Sequence, residues 1–229
     1  MDILIEKFQY QPLEREDGGP AGRKYVDPQG NKLPSVTTIL DRTKSEESKQ
    51  ALAAWRKAKG EKKAAEITKE AAFRGTLMHS FLERHLKGEN PKAGTNYYHK
   101  QSSKMAEIIL ENYLRPFLEE TWGLEVNLYY PELYAGTTDL LGVYQGIPSI
   151  IDFKQTNQPK TDERVEDYKA QLVAYAAAHN SVYGTNIKQG VILMCSKDFH
   201  PQRWILCGDE FQYYTNIWWQ RVATYYELN

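Results

Sequence analysis

Three residues have the types and spacing to do chemistry together. Asp139 lies in Tyr134-Ala135-Gly136-Thr137-Thr138-Asp139-Leu140-Leu141, and Asp152 and Lys154 lie in Ile150-Ile151-Asp152-Phe153-Lys154-Gln155-Thr156. Side chains alternate along an extended strand, so Asp152 and Lys154 share one face while Ile151 and Phe153 point into a core. A chain reversal near Gln145-Gly146 sets Asp139 opposite or diagonal to Asp152 on a neighbouring antiparallel strand. Carboxylates that close repel each other, and a hard cation with open coordination positions, Mg²⁺ or Mn²⁺, relieves them. A lysine beside the ion can orient or deprotonate a water and stabilise charge developing on a phosphate. Spacing alone also admits a blander arrangement, a turn aspartate next to a surface ion pair.

These residues need strands to present them, and the pattern supplies strands over 125–130, 138–144 and 149–155, with Gln145-Gly146-Ile147-Pro148 as a turn. Further strands are expected over 190–195 and 202–206. Helices are expected from a Ser35 or Thr37 cap through Leu40, from Ser45 through Trp55, from Thr68 to Leu86, from Tyr98 to Glu120, from Asp162 to Tyr183 and from Asp209 to Leu228. The first 34 residues read as irregular, apart from a hairpin suggested by Lys24-Tyr25-Val26 before Asp27-Pro28-Gln29-Gly30. Between Asp41 and Arg74 there are ten Lys or Arg against six Asp or Glu, a modestly basic helical lobe. Such an excess suits either a solvated face or one that meets phosphates.

Two helices carry further candidates. Phe73, Leu77 and Phe81 together with Met78, Leu82 and Leu86 form an apolar face, and His79 and Glu83 project together at i and i+4. The same spacing puts Tyr168, Gln171 and Tyr175 on one stripe, where an amide and a phenol could hold a DNA backbone or base. His85, His99, His179 and His200 have no ligand-like partners at useful spacing and are assigned surface or core roles. Trp218-Trp219 and Tyr225-Tyr226 are expected to dock the last helix on the sheet.

The order of the pieces, Gly75-x-x-x-His79, Gly136-x-x-Asp139, Ile151-Asp152-Phe153-Lys154 and Gln171-x-x-x-Tyr175, resembles the RecB-like branch of the PD-(D/E)xK nuclease superfamily over about residues 33–175. Pro34-Ser35-Val36-Thr37-Thr38-Ile39-Leu40 is similar to an early motif of stand-alone exonucleases such as the mitochondrial genome maintenance exonucleases and their bacterial and phage relatives. The resemblance implies an α/β (α+β) fold, a central mixed sheet flanked by helices, with a restriction-endonuclease-like core and an N-terminal helical lobe. It implies a metal held by His79, Asp139, Asp152 and the backbone carbonyl of Phe153, with Lys154 as the catalytic lysine. Gln171 and Tyr175 would position DNA, with Tyr168, Arg74, Ser35 and Thr37 as additional DNA-binding candidates. Asp152 stands where many relatives carry Glu. The four cysteines that hold an iron-sulfur cluster in some members are missing, so no cluster is expected.

At 229 residues and 41% hydrophobic content the chain can bury a sizeable core. One nuclease domain over 1–229 is expected, with the helical lobe at about 35–120 and the catalytic sheet and C-terminal helices at 125–229. A net charge of -1 neither requires nor excludes nucleic acid. The two cysteines, Cys195 and Cys207, read as small core residues rather than a disulfide framework or zinc knuckle. No apolar run reaches a membrane span, and the start has no signal or transit pattern, which points to the cytoplasm of a bacterium or phage-infected host. The expected activity is metal-dependent hydrolysis of DNA from a free end, single strands preferred, in replication, recombination or degradation. The competing readings are a structure-specific endonuclease of the same fold and a catalytically silent DNA-binding subunit.

Overall fold

In a computed structural model of the chain, the described residues are residue 5, residues 7–19 and residues 22–228. The chain starts with a small antiparallel sheet, β1 (Glu14–Asp17), β2 (Arg23–Val26) and β3 (Lys32–Pro34). The β2–β3 hairpin turns through Asp27–Gly30, where the Asp27 carboxylate accepts from the Gln29 and Asn31 amides at 3.0 and 2.7 Å. That Asx geometry fixes the turn. Strand β1 escapes a reading by pattern because Glu-Arg-Glu-Asp offers no apolar alternation; ion pairs of Asp17 with Arg15 and Arg23 decorate this edge instead.

Four helical elements follow. Helix α1 (Val36–Arg42) is capped by the Ser35 hydroxyl accepting from Thr38 N–H at 3.0 Å, and α2 (Glu46–Lys59) by the Ser45 hydroxyl accepting from Ser48 N–H. Helix α3 runs from Glu61 to Leu86, starting seven residues earlier than the apolar pattern alone suggests, and α4 spans Tyr97–Ile109. Met78, Phe81, Leu82 and Leu86 of α3 are buried against Met105, Ala106 and Ile109 of α4. Phe73, expected on that face, is exposed and meets Tyr98 and His99 edge-on. Each fully buried aliphatic or Met side chain contributes about 1.5–3 kcal/mol, so this stripe of four anchors only the second half of α3.

The helix expected over 98–120 stops early. A π-turn (Leu110–Leu114) and a single helical turn, α5 (Arg115–Phe117), lead directly into strand β4 (Leu118–Tyr130), so residues 118–120 are strand rather than helix. Pro116 lies in the last turn, and the β-prone Thr121-Trp122 follow. Two register irregularities, one between Leu118 and Glu120 and one between Thr121 and Gly123, break the alternation that would otherwise have marked the strand.

The main sheet has the order β4-β5-β6-β7-β8, with β5 at Tyr134–Tyr144, β6 at Ile147–Thr156, β7 at Gln189–Ser196 and β8 at Pro201–Leu206. The β6–β7 pair is parallel and the others antiparallel, which makes it the mixed sheet expected. Ile147 and Pro148 belong to β6, so the β5–β6 turn is only Gln145-Gly146, with φ of 52° and 76°. Both values are positive, as a tight two-residue hairpin turn requires. A 3₁₀ turn (Asp162–Arg164) and helix α6 (Glu166–Tyr183) cross from β6 to β7, and α7 (Gly208–Glu227) closes the chain.

Helices cover both faces. Leu172 and Val173 of α6, Trp218 and Val222 of α7 and Ile39 of α1 pack on the face that carries Leu141, Ile150 and Ile192, while α3 and α4 pack on the face of Leu140, Ile151 and Phe153. All eight residues of β7 are consequently buried, as a strand between two helical layers demands. Trp218 meets Tyr134 edge-on at 4.8 Å and Tyr225 is buried, so α7 docks as its aromatic pattern suggested. Cys195 is buried in β7, but Cys207 is exposed just before α7 and is not a core residue.

Candidate active site

The β5–β6 ladder runs from Tyr144↔Ile147 to Leu140↔Ile151 and stops there. One residue further on, the Asp139 carboxylate takes over the role of a ladder carbonyl: its Oδ2 accepts from the Phe153 N–H at 2.6 Å. The two strands therefore separate at the point where both aspartates stand. On the other side of β6 the parallel pairing continues through Asp152↔Ile192 and Lys154↔Met194, which keeps Asp152 and Lys154 rigidly placed.

Strand alternation then distributes the side chains as expected. Ile151 and Phe153 enter the α3–α4 layer, and Lys154 faces α6, where its Nζ donates to Gln171 Oε1 at 3.2 Å and lies 4.8 Å from the Tyr168 ring centroid. From the opposite layer, His79 of α3 stands edge-on to Phe153 and brings Nδ1 to 3.3 Å from Asp139 Oδ1. Groups from both helical layers thus meet at the gap in the sheet.

The electrostatics follow from burial and crowding. Asp152 is almost fully buried; burial, with the Asp139 charge, lifts its carboxyl to about 6 in spite of the ion pair with Lys154. Burial opposes ionisation of Asp139 too, but the His79 and Lys154 charges win and hold it below the usual carboxylate range. Burial disfavours charge on His79 and Lys154 as well, yet the aspartates prevail: His79 is raised to about 9 by Asp139, and Lys154 is raised by Asp152 and Asp139. Asp152 Oδ2 is buried, and its partner is the Lys154 ammonium, with which it forms a close ion pair. A buried carboxylate, a second carboxylate on the next strand and an imidazole form a donor set suited to a divalent cation such as Mg²⁺ or Mn²⁺.

Other expected site residues lie around this centre, several of them inside the protein. Gln171 is buried, and its Nε2 donates to the buried Tyr175 hydroxyl at 3.1 Å, so the pair fixes Lys154 from behind. Gly136 makes that possible, because a Cβ there would come within 2.8 Å of the Tyr175 ring. Arg74 is 4% exposed; its Nε donates to Gln155 Oε1 at 3.2 Å and its Nη2 contacts Asn157, which ties α3 to the end of β6. Ser35 is spent on the α1 cap, with its hydroxyl shared among Thr37, Thr38 and the Thr38 amide. For Arg74 and Ser35 the geometry favours structural work over direct contact with DNA. Tyr168 is half-buried beside Lys154, and Thr37 is exposed on the rim of a surface pocket it shares with Arg23, Thr38 and Arg42. Glu83, on the His79 side of α3, is ion-paired with Lys87 at 2.6 Å. None of His85, His99, His179 and His200 joins a metal-competent group among the described residues.

One neighbour was missed by sequence reasoning. Leu124↔Leu140 and Val126↔Thr138 are paired, so Glu125 on β4 stands opposite Asp139. Ligand atoms of His79, Glu125 and Asp139 all lie within 4.8 Å of one another. Glu125 is an exposed residue, yet partial desolvation of its carboxyl and the adjacent Asp139 charge lift it to about 7. Pairing the strands across the 131–133 turn would have found it; reading 125–130 as a strand without a partner did not.

No family model matches the chain. Two curated proteins, the mitochondrial genome maintenance exonuclease 1 of Mus musculus and that of Homo sapiens, are 28% and 27% identical to it over 208 and 209 residues, 87% of this chain in each case. The chain spans about 60% of the length of these relatives. A solved protein from Eubacterium rectale, described as a candidate exonuclease, overlaps 65% of this chain and 63% of its own at 18% identity, with a TM-score of 0.47. No described helix is long and apolar enough to cross a membrane. The likeness to exonucleases over most of the chain supports the RecB-like resemblance read from the four ordered motifs.

Proposed function

We propose, with RecB-like exonuclease kinship as the premise, that this protein is a divalent-cation-dependent deoxyribonuclease that hydrolyses phosphodiester bonds from a free end and prefers single strands. The observation that carries the reading is the meeting of His79, Asp139, Asp152 and Lys154 where β5 and β6 part, with Asp139 against His79 and the buried Asp152 against Lys154. His79, Asp139, Asp152 and the Phe153 carbonyl would hold Mg²⁺ or Mn²⁺. When bound, the cation supplies an activated water and Lewis-acid stabilisation of the phosphate.

The chain's own groups do the rest. Lys154 is kept protonated by the two aspartates, which suits it to donate hydrogen bonds to charge building on the scissile phosphate rather than to act as a base. Gln171, backed by Tyr175, fixes the direction in which that ammonium points. Phe153 N–H locks one oxygen of Asp139 and leaves the other facing His79. Tyr168, half-buried beside Lys154, offers an aromatic ring on which a base can stack. Helix α2 has no buried residue and carries Arg56, Lys57 and Lys59 in its last turn, while Lys62 and Lys63 open α3; this exposed lobe supports a role in tracking the backbone of a single strand. The placing of the activity in a bacterial or phage cytoplasm, and in replication, recombination or degradation, belongs to the same proposal.

The test is digestion of end-labelled linear and closed circular single-stranded DNA with Mg²⁺, with Mn²⁺ and with chelator, comparing wild type with Asp152→Ala. Metal-dependent loss of the linear substrate alone, by wild type alone, is expected. Cleavage of the circle would replace the reading with an endonuclease, and no cleavage with either metal would leave a binding subunit.

A further inference from the structure

We infer that Glu125 is a ligand of the divalent cation, so that β4 contributes to the centre together with α3 and β5; the inference rests on the metal-dependent reading above. Three observations converge on it. Donor atoms of His79, Glu125 and Asp139 lie within 4.8 Å of one another, close enough for a single ion to reach all three. Glu125 is an exposed residue whose carboxylate makes no hydrogen bond or ion pair among the described residues, whereas the nearby Glu83 is ion-paired with Lys87. Beside them, the buried Asp152 of β6 adds a further carboxylate, ion-paired with Lys154 through Oδ2.

Charge balance sharpens the point. With Glu125, Asp139 and Asp152 ionised, Lys154 protonated and His79 neutral as a metal ligand must be, the centre carries a net charge of about minus two. A divalent cation cancels it. Glu125 also adopts a φ of 51°, in the left-handed region that non-glycine residues seldom enter, and it does so between two regularly paired neighbours. The strand is therefore locally bent at the residue whose carboxylate joins the group.

The experiment is Mn²⁺ titration of the full chain by calorimetry and by the electron paramagnetic resonance signal of free Mn²⁺, paired with thermal melts in chelator and in Mn²⁺. Glu125→Gln, Glu125→Asn and Glu83→Gln are compared with wild type. Both Glu125 variants should weaken Mn²⁺ binding at least about tenfold, since even outer groups around a metal cost that much. They should melt no lower than wild type in chelator, because a repulsive carboxylate is gone, and should gain less from Mn²⁺. Asn tolerates the left-handed backbone, so it reports even if Gln folds poorly. Glu83→Gln should bind as wild type does. Wild-type affinity in a folded Glu125 variant overturns the inference and leaves the nuclease reading intact; absence of Mn²⁺ binding by wild type overturns both.

Discussion

Helix α6 carries two buried polar clusters, and they are built on opposite principles. Near its C-terminal end, Tyr10 lies 3.3 Å from His179 Nε2, His179 Nδ1 lies 2.7 Å from Thr185 Oγ1, and Thr185 donates to Asn180 Oδ1 at 2.7 Å. Asn180 in turn donates to and accepts from the Ile187 backbone. With His179 neutral, every polar atom in that chain has a partner of the right kind, and rings of Phe8, Tyr10 and Tyr183 enclose it. Towards its start, Gln171 and Tyr175 hold Lys154 beside carboxylates that repel each other. One cluster closes on itself and does structural work. The other crowds like charges together, which is what a site must do if a cation from outside is to complete it.

The contrast can be broken most directly by chemistry. Lys154→Ala and Asp152→Ala should each lower single-turnover cleavage of single-stranded DNA by about 10³-fold or more, roughly 4 kcal/mol of barrier. In chelator, DNA affinity should be largely kept. Activity retained by either protein would move the centre elsewhere.

At the closed cluster the outcome reverses. His179→Ala should cost about 3–4 kcal/mol in urea unfolding, because it empties a ring-lined site and strands the Thr185 and Tyr10 hydroxyls. Cleavage per folded molecule should be unchanged. A loss of rate without loss of stability would merge the two clusters into one functional unit.

Acid should separate them further. Burial lowers the folded His179 to about 4 from the ordinary 6.5, so between those values the unfolded chain binds the extra proton. Stability from this residue is fully present above about pH 6.5 and is lost progressively as pH falls towards 4, by at most about 3 kcal/mol. Melts of wild type against His179→Phe across that window should show the slope in wild type and a flatter curve in the variant. Equal slopes would assign the acid sensitivity to other groups.

The smallest effect is expected where the open cluster leans on the core. Tyr175→Phe removes only the hydroxyl that receives Gln171 Nε2. It should slow cleavage about five- to tenfold by loosening Lys154, with a stability change of about 1 kcal/mol or less. Unchanged cleavage would show that Gln171 needs no backing.

Much of this arrangement was legible in the sequence because it is periodic. The alternation of Ile151, Asp152, Phe153 and Lys154 set the two faces of β6, and the Gln145-Gly146 turn set which residues of β5 stand across from it. The Ser45 cap fell where a hydroxyl precedes two glutamates at the head of a helix, and Ser35 is the cap of the two hydroxyls, Ser35 and Thr37, that the sequence offered. What was not legible depends on tertiary context. The start of β4 is hidden by two register irregularities, and Glu125 matters only through its partner strand. Arg74 and Ser35 looked available to a ligand because burial and internal hydrogen bonding leave no local signature.

The two-residue turn at Gln145-Gly146 also works as a ruler. It lies at the far end of the hairpin from the aspartates, about 20 Å of strand away at 3.3 Å per residue, and touches none of the chemistry. Yet side chains on β6 alternate with a period of two, so a single residue inserted there and carried through the register would hand Ile151 and Phe153 to the α6 layer. Asp152 and Lys154 would then be aimed at the packed α3–α4 layer. The length of a loop with no functional group thus decides whether the carboxylate and the ammonium arrive on the right side of the sheet.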